Sequence, residues 1–349
     1  MEPFTLLFLT SGLLLGWALG ANDAANVFGT AVGTHMVRWI TAATICSVFV
    51  IIGAVYSGAG TTETLGKLGA ISTLAAAFMA ALAAAIAVYA MTRAGLPVST
   101  SQAIVGSIVG WNVFSGITTD VSILTKIVGA WVLCPVLAGL IAIPTYKYLT
   151  AVLRQKPIHL LRADAYTRLG LIVAGAFGAY SLGANNIANV VGVFVPAVQF
   201  GAIDIPGLMT FSSAQQLFLL GGMAIALGVF SYSRPVMMTV GRELGRLSPL
   251  AAWVAVVSHS IVLFAFASQG LEAWLMARGL PTLPLVPVSS SQAVVGAVVG
   301  IAILQGTAGL RWSVLGKIIL GWIATPILSG IICFVGLFFL QNVFGQTIS

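Results

Sequence analysis

Apolar runs about twenty residues long follow one another along almost the whole chain, separated by short polar, glycine or proline punctuation. They fall at about 4–34, 39–58, 70–92, 99–117 and 121–147, and again at about 169–199, 212–232, 248–268, 286–304 and 313–342. A hydrocarbon core of about 30 Å takes roughly 20 helical residues, so the pattern predicts an all-α polytopic membrane protein. Glycine and amide residues interrupt the first run near Gly20 and the sixth near Gly183, which predicts broken helices there. The stretch 70–117 also suits a re-entrant hairpin, so the expected number of membrane segments is about 10–12.

The second set of runs repeats the first. Gly20-Ala21-Asn22-Asp23-Ala24-Ala25-Asn26-Val27-Phe28-Gly29 returns as Gly183-Ala184-Asn185-Asn186-Ile187-Ala188-Asn189-Val190-Val191-Gly192. Pro97-Val98-Ser99-Thr100-Ser101-Gln102 returns as Pro287-Val288-Ser289-Ser290-Ser291-Gln292, and Lys126, Trp131, Pro135 and Gly139 return as Lys317, Trp322, Pro326 and Gly330. The blocks keep their order, which predicts a first repeat over 1–148, a basic loop over 149–168 and a second repeat over 169–349. An odd number of crossings per half, five or three, makes these inverted-topology repeats. Matched polar interruptions in two such halves point to a transport site near the bilayer midplane.

Composition supports the class: 59% of residues are hydrophobic and 7% charged, against about 25% charged in soluble domains. The net charge of +7 reads as topology, and no nucleic-acid partner is expected. With the central loop in the cytoplasm, Arg38, Arg93, Lys147, Arg154, Lys156, Arg162, Arg168, Arg234, Arg242, Arg246 and Arg311 lie inside, and only Lys67 and Arg278 outside. Both termini are then extracellular or periplasmic, in a multi-pass plasma or inner membrane protein with lipid as its surroundings. Cys46, Cys134 and Cys333 lack metal-ligand spacing and read as buried small hydrophobes.

Asp23 is the acid that lies deep in an apolar segment, where an ionisable group is a functional candidate by default. It can serve as a helix N-cap. Alternatively, with Asn22, Asn26 and unwound backbone carbonyls it forms a hard-oxygen set for Na⁺, or it carries a proton. Asn185, Asn186 and Asn189 are the second copy of that set, without the acid. Ser99-Thr100-Ser101 and Ser289-Ser290-Ser291 each follow a proline and open a helix. Exposed N–H groups, the positive dipole end and hydroxyl donors there suit a small tetrahedral oxyanion. Gln102 and Gln292 either line that site or pack behind it. His35 and His259 are isolated and read as ordinary polar residues near span ends. Arg93 is either an interfacial anchor or a lure for anions. No nucleophile–base pair or metalloprotease motif is present, so an enzyme is not expected, and no cofactor beyond a coupling ion. A passive channel fits less well than a coupled carrier, because a negative-inside potential opposes anion entry by about 2.3 kcal/mol per charge at 100 mV.

These blocks resemble the PiT family of inorganic phosphate transporters. The family's Gly-Ala-Asn-Asp-x-x-Asn-x-x-Gly-Thr signature matches Gly20 to Thr30. Its Pro-x-Ser-Thr motif matches 97–100 and, with Ser290 in the threonine place, 287–290. Arg234 to Pro249 is similar to its cytoplasmic segment. The resemblance implies secondary active symport of phosphate with Na⁺ or H⁺, by alternating access at the repeat interface, often as a homodimer. Substrate would bind at Ser99, Thr100, Ser101, Gln102, Ser289, Ser290, Ser291 and Gln292, and cation at the two Asn-rich signatures. Asn186 stands where these transporters usually keep an aspartate, and the hairpins carry Ser-Gln where many members have Thr-His. A related branch resembles sulfate permeases and fits the Asn-Asn motif, whereas retention of Asp23 favours phosphate, which still carries a proton at neutral pH.

Overall fold

The computed structural model describes residues 3–93, 98–155, 159–205, 209–243, 247–306 and 312–348. The first half contributes α1 (Pro3–Gly33), α2 (Trp39–Ser57), α3 (Ala59–Leu68), α4 (Leu74–Arg93), α5 (Thr100–Ser115) and α6 (Val121–Gln155). The second contributes α7 (Leu160–Val191), a short antiparallel hairpin of β1 (Ile203–Ile205) and β2 (Met209–Phe211), α8 (Ser213–Glu243), α9 (Pro249–Ala265), α10 (Gln269–Met276), α11 (Ser290–Leu304) and α12 (Trp312–Asn342). Among the described residues seven helices are long and apolar enough to cross a membrane, and α9 with α10, bent by 72°, makes an eighth if taken as one span. At 16 and 15 residues, α5 and α11 are too short to cross alone. The central basic stretch is largely helical: Lys147 and Arg154 belong to α6, Arg162 and Arg168 to α7, while Lys156, Arg246 and Arg311 lie outside the described residues.

Packing partners exchange between the halves. α1 lies against α8 as α7 lies against α2, and α5 against α12 as α11 against α6; within the halves, α1 lies against α4 as α7 against α9. Such a swap is what a two-fold relation between duplicated halves generates.

The interruptions expected near Gly20 and Gly183 are not breaks, since α1 and α7 run through both. The glycines serve approach instead. A Cβ at Gly20 would collide with the carbonyl oxygen of Ile225 on α8, and one at Gly183 with that of Val50 on α2. Gly106 meets the Pro326 carbonyl and Gly296 the Pro135 carbonyl in the same way. Bilayer tails are as apolar as leucine, so helices associate in them by close packing of small residues. The sharp bend lies elsewhere, between α9 and α10, where Ser268 caps α10 by accepting from the Leu271 N–H at 3.1 Å.

Gly183→Ala and Gly296→Ala are expected to destabilise the protein by about 1–3 kcal/mol each, the usual cost of overpacking. Gly129 in α6 faces open space, so Gly129→Ala should be neutral or slightly stabilising. Thermal unfolding in detergent checks both, and equal melting of all three variants would contradict the packing role.

Candidate functional site

Two helix starts meet at the centre of the bundle. Ser99 and Ser289 adopt extended backbone and cap α5 and α11, each hydroxyl accepting from the N–H three residues on, Gln102 and Gln292, both at 3.3 Å. Both helices therefore begin where the serine blocks predict. Pro97 lies outside the described residues, and Pro287 stands in the extended segment ahead of α11. The two tips are pinned to each other by matching bonds: Ser101 Oγ donates to the Val288 carbonyl at 2.9 Å and Ser291 Oγ to the Val98 carbonyl at 3.3 Å. Ser289 and Ser291 share a 2.9 Å hydroxyl contact.

The signature helices reach these tips across the halves. Asn26 on α1 donates to Ser290 Oγ on the α11 tip at 3.0 Å and, more weakly, to Asp23 Oδ1 at 3.5 Å. Asn189 on α7 donates to Ser101 Oγ on the α5 tip at 2.9 Å and to Asn186 Oδ1 at 2.9 Å. Ser101 Oγ also lies within 3.3 Å of Asn186 Oδ1. In each half the last asparagine of the signature thus bridges its own helix to the other half's hairpin. Helical spacing explains the grouping, because residues three apart in each signature share a face.

Two predicted members of the cation set are engaged elsewhere. Asn22, half-buried, donates to Ala18 O one turn back at 2.8 Å. Asn185 accepts from the Val288 N–H at 2.8 Å and donates to Val286 O at 3.2 Å, which anchors the extended segment before α11. Its role is to hold backbone that has no helix of its own. Thr100 is buried beside its neighbours in the block.

His259 is the residue that isolation in sequence concealed. It is fully buried in α9 and its Nε2 lies 3.0 Å from Ser290 Oγ, so it belongs to the site and not to a span end. No spacing in the chain signals this, since α9 and α11 are joined through the bend at α10. His35, by contrast, is exposed in the turn after α1, with a left-handed φ of 60°.

Among the described residues Asp23 is the buried carboxylate, 6% exposed, and the ion pairs, Lys67–Glu63 on α3 and Arg168–Asp164 on α7, are both exposed. The site therefore offers amides, hydroxyls, the His259 imidazole and one carboxylate, with no buried lysine or arginine among the described residues. Asn186 Nδ2, Asn189 Oδ1, Gln102 Oε1, Gln292 Oε1 and His259 Nδ1 are buried without a hydrogen-bond partner. That concentration of unspent donors and acceptors is what a polar ligand or water satisfies. The halves differ in cover: Asn185, Asn186 and Asn189 are fully enclosed, while Asn22 and Asn26 are half-buried.

Comparison with known proteins agrees with this architecture. A "Putative phosphate permease" of Pyrococcus abyssi is 25% identical over 95% of this chain and 96% of its own length. Sulfate permease CysP of Bacillus subtilis is 31% identical, covering 94% of this chain and 85% of its own. A solved structure named "The sodium-dependent phosphate transporter" superposes with a TM-score of 0.75 at 21% identity, over 97% of this chain and 99% of its own, and shows the shared fold. The model of the phosphate transporter family matches residues 19–333, so the chain belongs to that family, one of multi-span membrane transporters and not of enzymes.

Proposed function

We propose that the protein imports inorganic phosphate by symport with a cation, Na⁺ ahead of H⁺, through alternating access between its two halves. One observation carries the reading. Asn26 touches both Asp23, the group suited to a cation, and Ser290, at the helix start suited to an anion. A cation held at Asp23 and an anion held at the tips then share a bridging amide, so each raises the affinity of the other by the same factor. The anion's ligands in this scheme come from Ser99, Thr100, Ser101, Ser289, Ser290 and Ser291 with the α5 and α11 N–H groups, and Gln102 and Gln292 stand behind. Asp23 and Asn26 form the principal cation site, and Asn186 with Asn189 a weaker counterpart.

The repeats over 1–148 and 169–349 enter the membrane from opposite faces in this proposal. The tip-to-tip meeting of the hairpins supports it, because hairpins dipping in from opposite sides meet end to end at mid-depth. The segment 149–168 is then cytoplasmic and the protein works as a homodimer. The 31% identity to a sulfate permease and Asn186 in place of an acid favour a second reading, sulfate as the anion. The two differ chemically: hydrogen phosphate has a proton to donate to an acceptor such as Asp23, and sulfate has none.

Uptake of labelled phosphate into proteoliposomes, with and without Na⁺ and challenged by excess sulfate, tests the substrate. Phosphate accumulation that needs Na⁺ and resists sulfate is expected; displacement by sulfate at equal concentration would favour the second reading.

Asp23→Asn should remove gradient-driven accumulation, because the amide keeps an oxygen but loses the charge. Asn186→Asp should retain transport and steepen its dependence on Na⁺. Accumulation by Asp23→Asn at the wild-type level would reduce Asp23 to a packing residue.

Orientation is open to single-cysteine labelling, with little background expected because Cys46, Cys134 and Cys333 are buried. A cysteine at Gln155 should react only from the cytoplasmic side and one at Asp204 only from outside; the reverse pattern would invert the topology.

A further inference from the structure

We propose that the surface formed by α6 and α11 binds one anionic glycerophospholipid, with an acyl chain in an apolar groove and the phosphate at Lys147 and Arg154. The duplication supplies the comparison that points there. Two apolar grooves occupy equivalent places in the halves. One, of about 520 Å³, is lined by Val109, Val113, Val128, Ile327 and Ile331. The other, of about 350 Å³, is lined by the corresponding Val299, Ile303, Ile319, Val136 and Leu140. The second faces outward, with Val136, Leu140 and Ile303 all more than half exposed, as expected of a surface that lies against acyl chains.

The grooves differ in what lies beyond them. Past the second groove α6 continues on the same face through Tyr146, Lys147, Thr150 and Arg154, which with Gln305, just past α11, line a cleft of about 560 Å³ that carries two cations. Past the first, the corresponding positions are Leu337, Phe338 and Gln341 on α12 and Gly345 beyond its end, and none of them is a cation. Residues 136, 140, 143, 147, 150 and 154 recur at three- and four-residue spacing, so groove and cleft form one stripe along α6.

The chemistry of the cleft suits a phosphodiester. Lys147 and Arg154 are exposed and have neither an ion pair nor a hydrogen-bond partner among the described residues, and no acid lines the cleft. The Thr150 hydroxyl beside them is buried without a partner, and Gln305 Nε2 donates to Tyr146 Oη at 2.8 Å, tying the two walls together. The scale also fits. Lys147 lies twelve residues beyond Pro135 at the inner end of the groove, about 18 Å of helix, against about 15 Å for one leaflet's half of the hydrocarbon core. A freely dissolved phosphate would use the cations alone and leave the groove without a role. The inference does not depend on which membrane face is cytoplasmic; in the orientation proposed above, the lipid belongs to the inner leaflet, where basic residues between helices meet anionic headgroups.

The test uses the full-length protein with phosphatidylglycerol and phosphatidylcholine of identical chains, and bound lipid is read by native mass spectrometry and by competition with a fluorescent analogue. The wild type should prefer phosphatidylglycerol by about 30-fold, the yield of two cations near a membrane surface. Lys147→Gln with Arg154→Gln should abolish the preference, and the exchange Lys147→Arg with Arg154→Lys should keep it. Val136→Trp, which fills the groove, should weaken retention of both lipids, while Ile327→Trp in the duplicate groove should leave the preference intact. Millimolar inorganic phosphate should not displace the lipid. Equal retention of the two lipids by the wild type, a preference that survives the double Gln variant, retention unchanged by Val136→Trp, or displacement by inorganic phosphate would each overturn the proposal.

Discussion

At the α1–α8, α2–α7, α5–α12 and α6–α11 crossings a glycine brings one helix against a backbone carbonyl oxygen of its neighbour. Inside a bilayer the apolar surface of a helix gains nothing from leaving lipid for protein, so association rests on contact density and on polar bonds between helices. A Cβ at any of these positions would push the backbones apart, and what lies beyond the crossing would move with them. The site depends on that closeness. The α5 and α11 tips are held to one another by hydroxyl-to-carbonyl bonds of 2.9 and 3.3 Å, lengths that tolerate little separation.

The same closeness permits a site without buried basic residues. A lysine or arginine at this depth would need its own counter-charge, and its long side chain would need room that the glycine crossings do not leave. Short side chains fit instead: serine hydroxyls, asparagine amides and helix-start N–H groups supply donors at fixed positions, and the α5 and α11 dipoles add favourable potential for an anion. Every such donor must be paired or available to a ligand, because an unpaired buried polar group is costly. Ser101, Ser291, Asn26 and Asn189 are paired across the halves, so the polar network is part of what holds the halves together.

Much of this was legible in the chain. The duplication showed in its own spelling, and the caps of α5 and α11 are local events in which Ser99 and Ser289 satisfy the N–H groups of residues three positions on. Gly20 and Gly183 were harder. A glycine in an apolar helix can mark unwound backbone or a close neighbour, and the neighbours, Ile225 and Val50, lie far away in sequence. The division of labour among the asparagines was equally hidden. Asn22 and Asn26 are one helical turn apart, yet one bonds its own backbone and the other reaches Ser290, because only the second faces the opposing hairpin. His259 was concealed for a related reason: its partner comes from α11, beyond a bend of 72°.

What the halves do not share is then the most informative part of the molecule. Matching crossings and helix tips give two related frameworks, and a few substitutions make them unequal. Asp23 faces an amide, Asn186, in the other copy. His259 adds a ring to the cluster around Ser290, whereas Ser101, besides accepting from Asn189, donates to the Asn186 amide oxygen. The first signature keeps two half-buried amides and the second is fully enclosed. A symmetric pair of sites would bind and release equally from both halves. In the symport proposed above, a carboxylate in only one of them would give the cation a single strong position beside the anion, and a positive charge travelling with it would offset the field that opposes each entering negative charge by about 2.3 kcal/mol per 100 mV. Duplication provides two matched helix tips, and the proposed coupling rests on the residues that differ between the copies.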